Sequence, residues 1–588
     1  MNLFTPGNPT KRRRLYAVAL VVIGLLFGTR LVFFQVIDAG SINKVSKENR
    51  QKTRTIKALR GDILDASGRI LAHSVYRYDI NAAPVNVGPV LVTKNGQEVT
   101  MTVDEQADAV ARILRMNKAD VLARISGTGL YANIAKSVSA AQYSRLQKLN
   151  LPWMFYDPIL ARTYPEGAAT GSLVGFVGVD GKPLAGIELE MNSCLAGVDG
   201  QETFDRGTDG IRIPNSAVVK QQAENGKAVR LTINSNLQYL AQNQLYAEVR
   251  KYRANWATAI VVEVKTGKIL VAAEAPTVDP NNFGAATDDE RRARIFETSF
   301  EPGSTMKTIT AATLIDTGRG TPTTKTVAPY STRFSWGVVS DSHHHPTEKL
   351  TLTGVLRDSS NTGIINIGQV IPRKTRYDYM KKFGFGQKTS LNFPGEASGL
   401  LRPWDQWDGA TDKVSMFGQG VSVTPIQMAM AYQAIANHGV RYQPTLVDGC
   451  IDAKGNVSKL TTGAPTRVLS DSTATQTLAM LEKVVQYGGI GQTAGYGLSS
   501  WRVGGKSGTA QIQADNGHGY GYLHAVSFIG MAPVEDPQYV VAVTFYKPRT
   551  ISTSLGATPS FRYIMKKTLL TYGVPPSTTV SKPIQMDW

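Results

Sequence analysis

Cysteine is nearly absent from this chain: of 588 residues, only Cys194 and Cys450 carry thiols. Two cysteines so far apart exclude a structural zinc site and a disulfide framework. They can make one bridge at most, and two unpaired thiols are the expectation. Histidine is scarce as well, seven in all. Three of them, His343, His344 and His345, are consecutive. Consecutive side chains splay apart on a strand or a helix, so they converge poorly on one ion. That run reads as a solvated loop ending at Pro346. Negative charge is in deficit, with 46 acidic against 64 basic residues and a formal net charge of +18. No stretch interleaves basic and aromatic residues on one face, and no nucleic-acid motif occurs, so nucleic-acid binding finds no support. A basic domain beside anionic lipid accounts for the charge. No internal repeat is present.

Long apolar runs are lacking too, except for one. Lys11, Arg12, Arg13 and Arg14 precede apolar residues from Leu15 to Gly28, and after Thr29 and Arg30 the apolar run resumes from Leu31 to Ile37. As a helix, residues 15–37 rise about 34 Å, enough for a hydrocarbon core of about 30 Å. Arg30 lies within two turns of the far end, where its side chain can snorkel to the interface. No small-x-small site follows Gly28, so an uncleaved anchor is expected rather than a signal peptide. Basic residues from Lys44 to Arg60 outweigh the single acid, Glu48, so a count of charges across both flanks does not set the orientation.

What is there in quantity describes a folded mixed protein. Hydrophobic residues make up 42% and charged residues 19%, which excludes disorder as the general state. Fifty-five glycines point to many turns and a mixed α/β chain. The length calls for two or three domains. Residues 53–80 read as short strands around a Ser67-Gly68-Arg69 turn. Residues 104–150 carry two amphipathic helical runs, Glu105 to Leu114 and Ala140 to Leu149. A boundary is expected near Glu224-Asn225-Gly226-Lys227. Leu231-Thr232-Ile233 follows as a strand, then a helix capped by Asn236 with a stripe of Leu237, Ala241, Leu245 and Val249. Strand hairpins are expected over 259–273 and 525–545, a helix over 559–570, and a disordered tail from Pro575.

Three short motifs stand in order: Ser304-Thr305-Met306-Lys307 after Glu301-Pro302-Gly303, then Ser359-Ser360-Asn361, then Lys506-Ser507-Gly508-Thr509 after Gly504-Gly505. Pro302-Gly303 ends a loop so that a helix starts near Ser304, and positions i and i+3 share a face, placing Lys307 beside the Ser304 hydroxyl. A serine hydroxyl needs a neighbouring base to become a nucleophile. Lysine serves as that base when desolvation and nearby cations depress its pKa. Lys506 is such a cation, and it also suits an acidic substrate terminus. Ser359 can relay a proton between Lys307 and a leaving amine, and Asn361 can hold Lys307 and a substrate amide. Gly508 allows close backbone approach, so that the N–H groups of Ser304 and Thr509 can form an oxyanion hole worth about 3–4 kcal/mol per donor. Each motif alone is an ordinary helix, cap or turn. Together and in order they are specific.

On these residues the chain resembles the class B penicillin-binding proteins, which share such a set with class A β-lactamases. Further motifs carry the resemblance: Arg60-Gly61-Asp62-Ile63-Leu64-Asp65 with Gly68 and Leu71-Ala72; Arg162-Thr163-Tyr164-Pro165 and Gly186-Ile187-Glu188; Phe300-Glu301-Pro302-Gly303 and Gly418-Gln419-Gly420 with Thr424-Pro425 and Gln427. It is nearest the division-type, FtsI-like branch, although the elongation-type branch shares every motif quoted. The resemblance implies an α/β multidomain fold with a single N-terminal transmembrane helix, a β-rich pedestal and a transpeptidase domain of mixed α/β type, an antiparallel sheet flanked by helices as in β-lactamases. Expected boundaries are a cytoplasmic tail over 1–14, the anchor over 15–37, the pedestal over 38–226, the transpeptidase domain over 227–574 and the tail over 575–588. It implies catalysis by Ser304, Lys307, Ser359, Asn361 and Lys506, substrate binding by Ser507, Gly508 and Thr509, and no metal or organic cofactor. The implied activity is peptidoglycan D,D-transpeptidation outside the membrane, inhibited by β-lactams, with septal synthesis expected. A glycan polymerase of the FtsW type and other division proteins are the implied partners. D,D-Carboxypeptidase, β-lactamase and a non-catalytic penicillin sensor are the competing functions.

Overall fold

Alanine, valine and isoleucine crowd three segments of the chain, and these pair with two segments of more mixed composition as one antiparallel sheet. The computed structural model describes residues 9–94, 97–206, 213, 215–460, 463–488, 497–514 and 519–588. The five strands are β1 (Trp256–Glu263), β2 (Ile269–Ala275), β3 (Gly504–Gln513), β4 (Tyr520–Ala532) and β5 (Tyr539–Tyr546), in the spatial order β2-β1-β5-β4-β3. Successive strand residues face opposite sides, and here both sides are covered. Ala257, Ala259 and Val261 pack with Leu237, Leu245, Phe561 and Leu569 of two helices on one face. Ile260, Val262, Val540 and Ala542 pack with Met306, Ile309 and Met428 on the other. This explains why β1, β2 and β5 read as nearly continuous apolar runs rather than alternating ones.

The apolar stripe from Leu237 to Val249 lies on the helix Ser235–Tyr252 as expected, but its cap is Asn234 rather than Asn236. Asn234 keeps an extended backbone, and its side chain accepts the Leu237 N–H at 3.1 Å. On the opposite face run α1 (Met306–Asp316), α2 (Leu352–Asp358), α3 (Asn361–Gly368) and α4 (Asp471–Tyr487). A second sheet crosses the expected boundary near residue 226: strands Ile63–Leu64 and Ile70–Ala82 continue through Ala228–Leu231 into Val447–Ile451 and Val457–Lys459.

The motifs read before residue 227 meet in one buried ion network. Glu188 has a fully buried side chain and accepts from Arg60 at 2.5 Å and from Arg162 at 2.7 Å. Arg162 also donates to the Gly61 carbonyl at 2.8 Å, and the Tyr164 hydroxyl reaches Glu188 at 3.4 Å. A buried carboxylate survives because each oxygen accepts a charge-assisted N–H, Oε2 from Arg60 and Oε1 from Arg162.

Contact density separates a smaller unit, residues 1–59 with 197–226, from the remainder. It holds the helix Pro9–Val32, continued by Phe33–Ile37, and a second helix Ala39–Arg50. Strand Gln51–Ile56 then pairs antiparallel with Gly200–Asp205, which pairs with Val218–Gln221. Residues 9–37 form a helix with no buried residue, long and apolar enough to cross a membrane.

Three expectations are corrected. Cys194 and Cys450 are not free thiols: they form a disulfide, with 6.2 Å between their Cα atoms. Folding brings the short helix Asn192–Leu195 beside the strand Val447–Ile451, a proximity that sequence spacing cannot reveal. The residues from Pro575 are not disordered, because Trp501, Arg502 and Arg357 supply specific partners along an extended path. His343 and His344 are exposed, but His345 is buried against Asp341 rather than solvated.

Candidate active site

Ser304 sits in a single 3-10 turn, Gly303–Thr305, that runs directly into α1. Gly303 takes a positive φ of 57°, and its N–H donates to the Gly418 carbonyl at 3.1 Å. A Cβ on Gly418 would lie 2.3 Å from the Gly303 carbonyl oxygen, so the Gly418-Gln419-Gly420 motif lets a second loop press against the serine turn. On the other side, a Cβ on Gly508 would lie 2.4 Å from Ser527 Oγ and 3.0 Å from both the Pro302 carbonyl and Thr305 Cγ2. Glycine is therefore what allows β3 to lie against the turn that carries Ser304. Pairing with β4 sets Gly508 opposite Ser527 and Thr509 opposite Val526.

Lys307 and Lys506 are both fully buried, and neither has a carboxylate partner within salt-bridge distance among the described residues. They converge on one hydroxyl. Lys506 Nζ donates to Ser359 Oγ at 2.9 Å, and Lys307 Nζ donates to the same oxygen at 3.3 Å and to the Ser359 carbonyl. Lys506 also approaches the Ser507 carbonyl at 3.3 Å and its hydroxyl at 3.5 Å. Burial, with the positive charge of Lys506 next, holds the Lys307 amine well below the usual lysine range, while Asp341 pulls it partly back. Burial pushes Lys506 down to about 7, against the pull of Asp358.

Structure brings all eight candidate residues to the turn, the α2–α3 junction and β3. Ser304, Ser359, Asn361, Ser507 and Thr509 are half-buried beside the two buried ammonium groups. Two expected contacts are not made. Lys307 binds Ser359, and no hydrogen bond joins it to Ser304 among the described residues. Asn361 does not hold Lys307 either: its side-chain amide donates to the Ser340 carbonyl at 2.8 Å. The cause is the tight α2–α3 junction, where Ser359 takes a left-handed φ of 60° and turns its own carbonyl toward the lysine.

Three residues support the site; Glu301 stands in the motif before Ser304, while Asp341 and His345 were not legible as site residues in the sequence. Asp341 accepts from Ser360 Oγ at 2.6 Å, His345 Nε2 at 3.0 Å, the Thr362 amide at 3.1 Å and the Asn361 amide. It thereby caps α3 from outside the motif. Burial works against charge on His345, yet the Pro346 carbonyl, Asp341 and Glu348 hold its pKa above the usual value. Glu301 accepts the Gly420 N–H at 2.8 Å and the Tyr520 hydroxyl at 3.1 Å, with burial raising its pKa. No fixed spacing links Asp341 and His345 to the motifs, so only their folded positions reveal them, whereas Glu301 stands three residues before Ser304.

The geometry agrees with comparisons to known proteins. A model of the penicillin-binding protein transpeptidase domain matches residues 257–566, and one of the penicillin-binding protein dimerisation domain matches residues 55–231. The chain is similar to penicillin-binding protein PbpB of Mycolicibacterium smegmatis, 30% identical over 98% of this chain and 92% of the relative. It is similar to peptidoglycan D,D-transpeptidase FtsI of Escherichia coli, 29% identical over 95% of this chain and 91% of that one. Its fold is similar to the crystal structure of a peptidoglycan synthetase from Bifidobacterium adolescentis, with a TM-score of 0.71 and 31% identity over 92% of this chain and all of the other. The chain belongs to the class B penicillin-binding proteins, within their FtsI-like branch.

Proposed function

We propose that the protein is a membrane-anchored serine D,D-transpeptidase that cross-links peptidoglycan stem peptides, acting in septal synthesis. The observation that carries this reading is the convergence of Lys307 and Lys506, two buried amines of depressed basicity, on the Ser359 hydroxyl beside the Ser304 turn.

In the proposed reaction, Ser304 Oγ attacks the carbonyl of the penultimate D-alanine of a donor stem. Neutral Lys307 takes the hydroxyl proton, and Ser359 passes a proton to the departing D-alanine amine. The Ser304 and Thr509 amides receive the developing oxyanion, while protonated Lys506 with Ser507 and Thr509 engages the substrate carboxylate. Asn361 holds the donor amide. An amine of a neighbouring stem then resolves the ester and completes the cross-link. A β-lactam, whose strained amide resembles the D-alanyl-D-alanine bond, opens on attack and leaves its own acyl ester on Ser304, with the proton going to the ring nitrogen. No step calls for a metal or organic cofactor.

The proposed domains are a pedestal over 38–226 and a transpeptidase domain over 227–574, behind an anchor over 15–37 with residues 1–14 in the cytoplasm. A Cys194–Cys450 disulfide supports placing the catalytic portion outside the membrane, where thiols oxidise and stay oxidised. The septal assignment is supported by the likeness to a relative named FtsI. It implies a separate FtsW-type glycan polymerase and other division proteins as partners.

Gel labelling of the detergent-solubilised protein with a fluorescent penicillin tests the core of this reading. A stable covalent band is expected, and Ser304→Ala abolishes it. A band that persisted in the mutant would remove Ser304 as nucleophile. Rapid penicillin turnover without a stable band would point to a β-lactamase.

A further inference from the structure

Beyond the helix Thr558–Thr571 the chain turns back along the outside of the catalytic elements. The Trp501 indole N–H donates to the Pro575 carbonyl at 2.9 Å. Ser577 donates its amide to the Ser500 carbonyl and accepts the Arg502 amide with its hydroxyl, both at 2.9 Å. Arg502 donates to Thr579 Oγ1 at 2.6 Å, and Ser581 bridges Glu482 and Lys483 of α4 at 2.7 Å each. The segment is thus fastened to the residues that lead directly into β3.

Its far end is fastened to α2. The Thr351 amide donates to the Met586 carbonyl at 2.8 Å, and the Thr351 hydroxyl donates to the Gln585 carbonyl at 2.7 Å. Asp587 makes an antiparallel bridge with Leu350, and the Trp588 indole N–H donates to the Leu350 carbonyl at 3.1 Å. A Cβ on Gly354 would sit 2.2 Å from the Met586 carbonyl oxygen, so the segment seats only over a glycine in α2. The Asp587 carboxylate forms a fork with Arg357, at 2.7 and 2.8 Å, and the same guanidinium holds Asp358 at 2.5 and 2.8 Å.

Arg357 and Asp358 immediately precede Ser359, the hydroxyl on which both lysines converge. Ser359 has a left-handed backbone, which a non-glycine residue keeps only when its surroundings over-determine it. Asp358 is also the acid whose charge bears on Lys506.

We propose that Ser577–Trp588 is a strap that positions the acylation site: it ties the end of α2 to the start of β3, and Asp587, acting through Arg357 and Asp358, holds Ser359 between Lys307 and Lys506. This rests on the reading of Ser304 as the acylated nucleophile. Asp587 is a positioning residue and touches no reacting group.

The test compares full-length wild type, Asp587→Ala and Asp587→Glu in detergent, following the acylation rate with fluorescent penicillin across neutral pH, and Tm by thermal unfolding. The Asp587 side chain keeps 61% of its exposure but makes a two-pronged pair with a mostly buried Arg357, so Tm should fall only modestly. Acylation by Asp587→Ala should slow about tenfold, as expected for a small misplacement of a catalytic group. Asp587→Glu should recover most of the rate. The charges facing Lys506 are Lys307 from α1 and Asp358 from α2, and Asp341 beside α3 acts on Lys307. Without Asp587, Arg357 answers to Asp358 alone, the surroundings of Lys506 become more positive, and the alkaline limb of the rate profile should move to lower pH. An Asp587→Ala variant with unchanged rate and profile would overturn the strap's role. So would a slower rate that merely tracks a lost Tm and is not restored by Asp587→Glu. An unlabelled wild type would instead sink the acyl-enzyme reading itself, and the strap's role with it.

Discussion

Two lysines of opposite duty share one serine hydroxyl, and what separates them is how their charged forms are treated. Lys307 suffers burial and the neighbouring Lys506 charge together, so it gives up its proton more readily. Lys506 has Asp358 to offset its burial and titrates at about 7. Acylation needs Lys307 neutral and Lys506 charged. The rate should therefore climb as pH rises through the depressed Lys307 pKa and fall as pH passes about 7, where Lys506 loses its proton. Lys506→Arg keeps its charge at any accessible pH, so the alkaline limb should vanish even if the maximal rate drops. A pH profile of penicillin acylation checks this, and a limb that stayed near 7 would assign it to another group. At this scale the sequence was informative about identity and poor about contacts. Ser304 and Lys307 could be paired by helical spacing, but the binding of Lys307 to Ser359 depends on a left-handed turn that no spacing announces. Asp341 and His345 became visible only once folding set them under the α2–α3 junction.

Among the elements, the buried network of Arg60, Arg162 and Glu188 shows how motifs from distant segments serve one packing task. Glu188 lies on a short helix, Gly186–Glu190, and Arg162 is the penultimate residue of the strand Met154–Thr163. Removing the shared carboxylate strands two guanidinium groups in a low-dielectric site. Glu188→Ala should then cost about 3–5 kcal/mol of stability, read as a lower denaturation midpoint. A loss below about 1 kcal/mol, the value of an exposed pair, would mean that water reaches the network. Helical periodicity located the stripe on Ser235–Tyr252, and apolar runs broken by turns located the hairpins of the central sheet. Cap positions moved by a residue or two because Asn234, Ser235 and Asn236 all suit a helix start by composition. Asp65 settles the matter, accepting from Ser235 Oγ at 2.7 Å.

For the molecule as a whole, one covalent link and one anchor constrain the long chain. Cys194 and Cys450 are 256 residues apart in sequence, so their bridge closes a large loop in the unfolded ensemble. The doubly substituted Cys194→Ser, Cys450→Ser protein should lose about 2–4 kcal/mol of stability while its fluorescent-penicillin labelling per folded molecule persists. Unchanged thermal unfolding on substitution, or two thiols titrating in the oxidised wild type, would contradict the bridge. By itself the sequence determined the anchor, the mixed sheet-and-helix class and the three motifs. Each of these is written in local pattern: a run long enough to span lipid, an apolar segment that pairs, residues at helical spacing. Only the tertiary structure decided the disulfide, the strap over residues 577–588, the buried ion network and the meeting of both lysines on Ser359. Those depend on which distant segments lie side by side once the sheet closes, and desolvation, which sets the chemistry of the two lysines, exists only after that packing is complete.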